Sequence, residues 1–370
     1  MSQNSPIQWT DDTVNPVMGC SAPCELRPSP GQVLTCAQNF FKKQFPEAKP
    51  KDIEKMVRDR AENHNATELY QLREDIVADV IEAVDGKPRV DEAVKIMAKA
   101  LKDEFDRIFI CYAHQQHLMR GSDITNPDKR TNPGYARQFE IVTEYPGRVA
   151  DAAMKSDLCG TAHKKKPWLD FLPRMIFVSD MADALSERID FSYLKKEIVD
   201  VAASTRGSQH IWLWLTKMPK RMAEFGQWLP SQGSRWPDNL VAMTSVTSTK
   251  TITRAHLLKA VPSRFKGLSV EPLWEDVTLP LEGIDWCIVG GQSGHGSKPF
   301  DLAWAENLIE QCKASGTAFF MKQLGAEPMA DGKRIELPDA HGGEWAEWPA
   351  HLRIREMPRG FRSLRFAAMH

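Results

Sequence analysis

From Pro173 onward the chain repeats one pattern: a short, nearly continuous apolar run that closes in small or polar residues, then a longer connecting segment. The runs are RMIFVSD, HIWLWLTK, LVAMTSVT, FKGLSVEPL, IDWCIVGG and TAFFMKQLG. A run apolar at every position, rather than at alternate ones, belongs to a strand buried on both faces. Stretches with helical spacing, FSYLKKEIVDVAAS and LAWAENLIEQCKAS, lie between some of the runs. Strands that alternate with helices require parallel pairing through right-handed crossovers. A further short strand is expected in IQWTDDTVNPVMGC, ended by Pro16 and Gly19. Together these segments specify an α/β fold, a partial or complete parallel (β/α) barrel.

The texture between that first strand and Pro173 is different. KDIEKMVRDRAENHN, ATELYQLREDIVADVIEAV and VDEAVKIMAKALKDEFDR carry apolar residues at three- and four-residue spacing among many charges, with DGKP as a break. Such segments are amphipathic helices. The expected division is residues 1–36 as first strand and cysteine loop, 37–107 as helical insertion, 108–330 as barrel body and 331–370 as a C-terminal appendage with a short strand. A polar loop, GSDITNPDKRTNPGYARQFE, follows the insertion, and its length suits a segment that covers a site. With 42% apolar and 26% charged residues the chain can bury a large core, and a formal net charge of -1 excludes a global field that would draw in nucleic acid or an anionic membrane. No apolar run approaches the ~18 residues of a membrane span, and MSQNSPIQWTDD has no secretion signal, so a cytoplasmic location and no membrane partner are expected. Seven cysteines without a secretion signal point to reduced thiols or metal ligands rather than a disulfide framework.

Two of those cysteines, Cys20 and Cys24, stand on one proline-bracketed loop, NPVMGCSAPCELRP, where both thiolates can face one ion. Thiolates favour zinc, copper(I) or iron–sulfur clusters. Cys111 in RIFICYA is the best third ligand, at a strand end or in the first turn of a helix, and Cys36 in VLTCAQNFF competes with Cys24 for the middle place. In parallel barrels the chemistry gathers at the carboxyl ends of the strands. There stand Ser179, Asp180 and Asp183, then Thr216 and Lys217, then Thr244, Ser245 and Thr247, then Ser269 and Glu271, and finally Lys322 and Gln323. Each is also an ordinary cap or turn former, but Glu271 and Lys322 place charges directly after buried strands and require a partner or a ligand. Gly290, Gly291, Gln292, Ser293 and Gly294 form a glycine-rich loop suited to a cofactor, without the spacing of a dinucleotide fingerprint or the lysine of a phosphate loop. His114 and His117 share a helix face, with no acidic companion, and read as core residues. HKKKPW reads as a solvated loop, and Cys287 and Cys312 as small core residues.

The ordered series NPVMGC, CYA, FVSDMAD, LTKMP, SVEPL, IDWCIVGGQSG and FFMKQLG resembles the phage-associated gp thirty-seven/gp sixty-eight family of uncharacterised, radical-SAM-like proteins. The resemblance implies a barrel of the radical-SAM type, a 4Fe–4S cluster on Cys20, Cys24 and Cys111, and S-adenosylmethionine near Asp180, Lys217, Glu271, Gly290, Gly291, Ser293 and Lys322. It names no substrate, and is compatible with nucleic-acid or metabolite modification in a phage or mobile-element setting. Family members hold their cysteines in one short run ending CYA, whereas the helical block separates Cys20 from Cys111 here. The competing readings are a non-catalytic phage or partner-binding protein with a structural metal site, and a barrel hydrolase using Asp180, Glu271 and Lys322.

Overall fold

The computed structural model describes residues 7–21, 24–61, 63–85, 91–121, 132–294 and 296–364. The chain divides into two compact units, one made of Met1–Val17 with Glu144–His370 and the other of Met18–Thr143. No helix among the described residues is long and apolar enough to cross a membrane.

The first unit is built on seven strands: β1 (Asp12–Val14), β2 (Met175–Val178), β3 (Ile211–Thr216), β4 (Leu240–Ser245), β5 (Lys266–Val270), β6 (Trp286–Gly290) and β7 (Ala318–Gln323). They lie side by side in chain order, every pairing parallel, as a partial (β/α) barrel. All six runs expected from Pro173 onward are strands in this sheet. Helical segments over 191–203, Pro219–Trp228, Thr253–Leu258 and Leu302–Ser315 make the crossovers, whereas β5 and β6 are joined without one. Because the strands are parallel, all their carboxyl ends share one edge of the sheet.

Alternate side chains of the strands form a core cluster on one face, Met175 and Phe177, Ile211 and Leu213, Val241 and Met243, Trp286 and Ile288, and Phe320, while those of the other face, Ile176, Trp212, Ala242 and Cys287 among them, are buried as well. Phe361 and Leu364 from the end of the chain belong to the same cluster, so the segment expected as an appendage fills the core. It also covers the outer edge of β7. Met321 N–H donates to Ile354 O at 2.8 Å and Glu356 N–H to Phe319 O at 2.9 Å, around an antiparallel bridge between Phe320 and Arg355. An open strand edge would otherwise expose its unpaired amides and carbonyls. Arg355 locks this cover by donating to Met321 O and Lys322 O, both at 3.0 Å, and by lying over Trp168 with 4.1 Å between guanidinium and ring centre.

The second unit is helical. Its elements are α1 (Pro30–Gln44), α2 (Pro50–Ala61), α3 (Ala66–Gln71), α4 (Arg73–Asp85), α5 (Asp91–Asp106) and α6 (Tyr112–Arg120). Ser29 and Asn65 open α1 and α3 with reciprocal capping boxes, each satisfying two of the amides that a helix start leaves free. The amphipathic pattern is realised as a core of its own, in which Phe41, Ile53, Val77, Leu101, Phe105 and Phe109 are buried. The helical block expected over 37–107 thus sits inside a larger unit that also contains the cysteine loop and Cys111. Of the break at DGKP only Asp85, which ends α4, is among the described residues, and residues 122–131 of the polar loop lie outside them.

Candidate functional site

The carboxyl edge of the sheet begins at Asn15, directly after β1. Its side-chain N–H donates to Asp180 Oδ1 at 2.5 Å, and its side-chain Oδ1 accepts the Met181 N–H at 2.9 Å. Burial pushes the Asp180 carboxyl above the usual carboxylate range, and hydrogen bonds from Asn15 and Thr13 oppose the shift. Ser179 precedes it at φ 72°, a conformation costly for a residue with a side chain. Its hydroxyl is buried and has no hydrogen-bond partner among the described residues.

Asp183 is enclosed more completely, and here too burial raises the carboxyl pKa. It accepts from Thr216 Oγ1 at 2.9 Å, from Lys217 N–H at 2.9 Å and from Leu185 N–H at 3.1 Å. A buried acid so fully satisfied is a tie between the ends of β2 and β3. Lys217, expected as a cofactor residue, contributes its main-chain amide to that tie.

On the far side of the edge, Lys322 Nζ of β7 lies 2.8 Å from Oε1 of Glu271, whose side chain is 11% exposed. Between them ends β6. A Cβ at Gly290 would fall 2.7 Å from Glu271 Oε1, so the missing side chain is the space that the carboxylate occupies. A Cβ at Gly291 would fall 2.2 Å from Leu324 O, in the backbone of the chain beyond β7. These two glycines therefore serve close packing within the fold. Ser293 is exposed beyond them. Trp274, after β5, donates to Gln292 Oε1 at 3.1 Å and carries Lys298 over its ring at 3.8 Å. The fold thus brings Asp180 and Lys217 to adjacent strand ends, and Glu271, Gly290, Gly291 and Lys322 to three other neighbouring strands of the same edge.

The helical unit carries the cysteines. Cys20, Cys24, Cys36 and Cys111 are partly buried, and none is in a disulfide. Gly19 enters the loop at φ 83°, where a Cβ would meet the carbonyl oxygens of Phe139 and Ile141 at 2.7 Å, and Cys20 N–H donates to Phe139 O at 2.6 Å. Arg27 closes the loop: its guanidinium donates to Cys20 O and, at 3.3 Å, to Ser21 O, while its own N–H donates to Cys24 O at 3.2 Å. Cys111 is the residue that opens α6, and its carbonyl accepts the Gln115 N–H at 2.9 Å. RIFI is accordingly not a strand: Phe109 is spent in the helical core, and the helix-start alternative for Cys111 holds. Cys36 lies within α1 against that core, where burial and the nearby Glu104 raise its thiol pKa.

The same region explains the histidines. His114 stacks on Phe139 with 4.4 Å between ring centres, and its Nε2 lies 2.7 Å from Thr67 Oγ1, which donates to Glu140 at 2.9 Å. With that hydroxyl hydrogen given to Glu140, Nε2 carries the His114 proton. Burial, then the Arg27 charge, holds His114 well below its ordinary pKa, and burial alone lowers His117 to about 4. Both are neutral core residues. Among the described residues no group of three or more His, Cys, Asp or Glu is placed to hold a metal ion.

Asn15 and Arg27 were not singled out from the sequence. Asn15 was accessible to the strand-end logic, since it follows β1 directly; Arg27 carried no signal of its own. A family model described as a protein of unknown function (DUF5131) matches residues 110–349. No curated protein and no solved structure matches the chain.

Proposed function

The chain belongs to this DUF5131 family of proteins of unknown function, and we propose that it is a cytoplasmic, radical-SAM-like iron–sulfur enzyme acting on a nucleic acid or a small metabolite in a phage or mobile-element setting. The observation that carries the reading is the donor set of the helical unit: three cysteines outside any disulfide, two on a tethered loop and one at the start of α6. The cubane is assigned to Cys20, Cys24 and Cys111 on the resemblance and on thiolate chemistry alone, since three thiolates leave one iron open, and not on a metal-holding arrangement of the described residues. A helix N-terminus favours the thiolate that Cys111 must supply. The raised pKa and core position of Cys36 favour Cys24 as the middle ligand.

The sheet unit supports the reading separately, as a barrel of the radical-SAM type. The unpartnered, buried Ser179 hydroxyl is a group that a ligand atom can satisfy. Glu271 and Lys322 offer a carboxylate and an ammonium to the zwitterionic end of S-adenosylmethionine, and Asp180 a carboxyl held by Asn15. Lys217 and Ser293 complete the set at the neighbouring strand end and in the loop after β6. When bound, the cluster and S-adenosylmethionine supply an electron and a carbon–sulfur bond whose cleavage yields a radical. The protein's own residues bind and orient the cofactor.

Anaerobic purification with iron and sulfide analysis tests the first part. The expected result is a brown protein with about four irons and four sulfides per chain, visible absorption lost in Cys20→Ala, Cys24→Ala and Cys111→Ala, and absorption kept in Cys36→Ala. Release of 5′-deoxyadenosine on reduction with dithionite tests the second part. A colourless zinc protein would instead favour a partner-binding protein with a structural metal.

A further inference from the structure

The segment that leads into β2 is tied down at nearly every turn. Lys166 Nζ donates to Ile7 O at 2.7 Å and to Thr10 O at 2.6 Å, and Trp168 Nε1 donates to Gln8 O at 2.7 Å. His163 N–H donates to Asp170 Oδ1 at 2.5 Å, while its Nε2 lies 2.9 Å from Asp11 Oδ1. Leu169 and Leu172 anchor the segment in the core of the sheet. Between those two leucines Phe171 stands outward: its φ is 63°, its N–H donates to Thr161 O at 3.1 Å, and it is 55% exposed. Lys164 and Lys165 are exposed in the same tied segment, and neither is engaged by a carboxylate among the described residues. Of three consecutive lysines only Lys166 is used inside the fold.

A bulky residue in the left-handed region is strained, and a phenyl ring left in water forgoes the gain of burial. No aromatic ring or cation among the described residues is stacked on Phe171. We propose that Phe171, Lys164 and Lys165 form a docking surface for single-stranded nucleic acid, in which the ring takes the face of an unpaired base and the two ammonium groups take phosphates. Single-strand binding without sequence preference combines these two elements, because every base has a π-face and every nucleotide a phosphate. A duplex keeps its base faces stacked inside and offers a lone ring nothing to cover. An acidic peptide would satisfy the lysines without using the ring, and an anionic membrane needs a larger apolar face than one phenyl group. A surface already ordered by its hydrogen bonds loses little conformational entropy on binding. The net charge of -1 supplies no general attraction for polyanions, so the affinity rests on this local patch. The patch lies before the amino-terminal ends of β1 and β2 and uses no residue of the cysteine loop or of the carboxyl edge, so the inference stands or falls independently of the enzyme reading.

The test is fluorescence anisotropy of the purified full chain with a fluorescein-labelled, mixed-sequence oligonucleotide of about 16 nucleotides, as DNA and as RNA. At least one single strand should bind about tenfold more tightly than the duplex of the same sequence, and the comparison of the two identifies which strand the surface takes. The affinity should fall about sevenfold between roughly 50 and 200 mM salt, the dependence expected of two phosphate contacts on a single strand. Phe171→Gly, which adopts a positive φ without strain, should keep the wild-type urea midpoint and bind about tenfold more weakly. The double variant Lys164→Gln, Lys165→Gln should make the remaining affinity nearly independent of salt. Equal binding of single strand and duplex, or wild-type affinity in Phe171→Gly, overturns the proposal. A lower urea midpoint in Phe171→Gly would make the ring a packing element and overturn it equally. Tighter capture of a polyglutamate peptide or of phosphatidylglycerol vesicles than of either oligonucleotide overturns it in favour of an acidic protein or a membrane. No binding of either strand at about 100 μM protein, the weak limit of non-specific association, overturns it outright.

Discussion

Gly291 is a residue defined by what it lacks, and the sequence did not reveal which neighbour fills the space. A glycine-rich loop after a buried strand suggests close approach of backbone amides to a cofactor. In the folded chain the close approach is to Leu324 O, so the glycine serves the packing of the segment after β7 against the segment after β6. Gly291→Val should therefore destabilise the sheet unit by about 1 to 3 kcal/mol or prevent its folding, seen as a lower urea midpoint. A variant as stable as wild type would refute this. Gly290 differs in kind, because its neighbour is the end of a flexible side chain, the Glu271 carboxylate. Asn15 shows the converse, a polar residue whose role appears only when Asp180, far along the chain, is brought beside it.

Among the elements, β7 illustrates the limit of reading runs one at a time. The run TAFFMKQLG announces a strand buried on both faces, but not that it closes the row of strands and has an edge to protect. The cover comes from Ile354–Glu356, in the segment where a short strand is expected, but nothing local says which strand it meets. It is held by Arg355 among Trp168, Trp345, Trp348 and Phe320. Replacing Arg355 with Met removes two hydrogen bonds to β7 carbonyls and the cation–aromatic contacts. The expected cost is about 2 to 4 kcal/mol, measured by urea unfolding, with faster amide exchange in β7 than in β4. Uniform exchange across the sheet would mean that the edge is held by other contacts. The helices of the second unit were more legible, because their apolar spacing is a local property; only the division of one pattern into α3 and α4 at Leu72 was not.

At the scale of the whole molecule, two units with separate cores need not share a pH response. His117 is buried, and its pKa is about 4 against an ordinary value of 6.5. Between those values the unfolded chain binds a proton that the folded chain refuses, so stability is complete above pH 6.5 and falls as the pH drops toward 4. The loss from His117 is on the order of 3 kcal/mol, and His114, shifted in the same direction, adds to it. Urea unfolding of the helical unit at pH 7 and pH 4.5 should show this loss in wild type and a smaller one in His117→Gln. An equal pH dependence in both proteins would remove the assignment.

What the sequence determined by itself was whatever depends on neighbours along the chain. The continuous apolar runs demanded strands buried on both faces, and their alternation with helical segments demanded parallel pairing. Parallel pairing in turn put Asp180, Lys217, Glu271 and Lys322 on one edge before any contact was known. The helical texture of the inserted block was legible for the same reason. Only the tertiary structure decided what depends on distant residues. It set the partners of the strand-end charges, the internal use of Gly290 and Gly291, the closing of the core by Phe361, and the tethering of the cysteine loop by Arg27 and Phe139. A local pattern specifies which face an element must bury, because burial follows from the period of its apolar residues. Which side chain meets it there is set by the folded path of the rest of the chain, and no periodicity encodes that path.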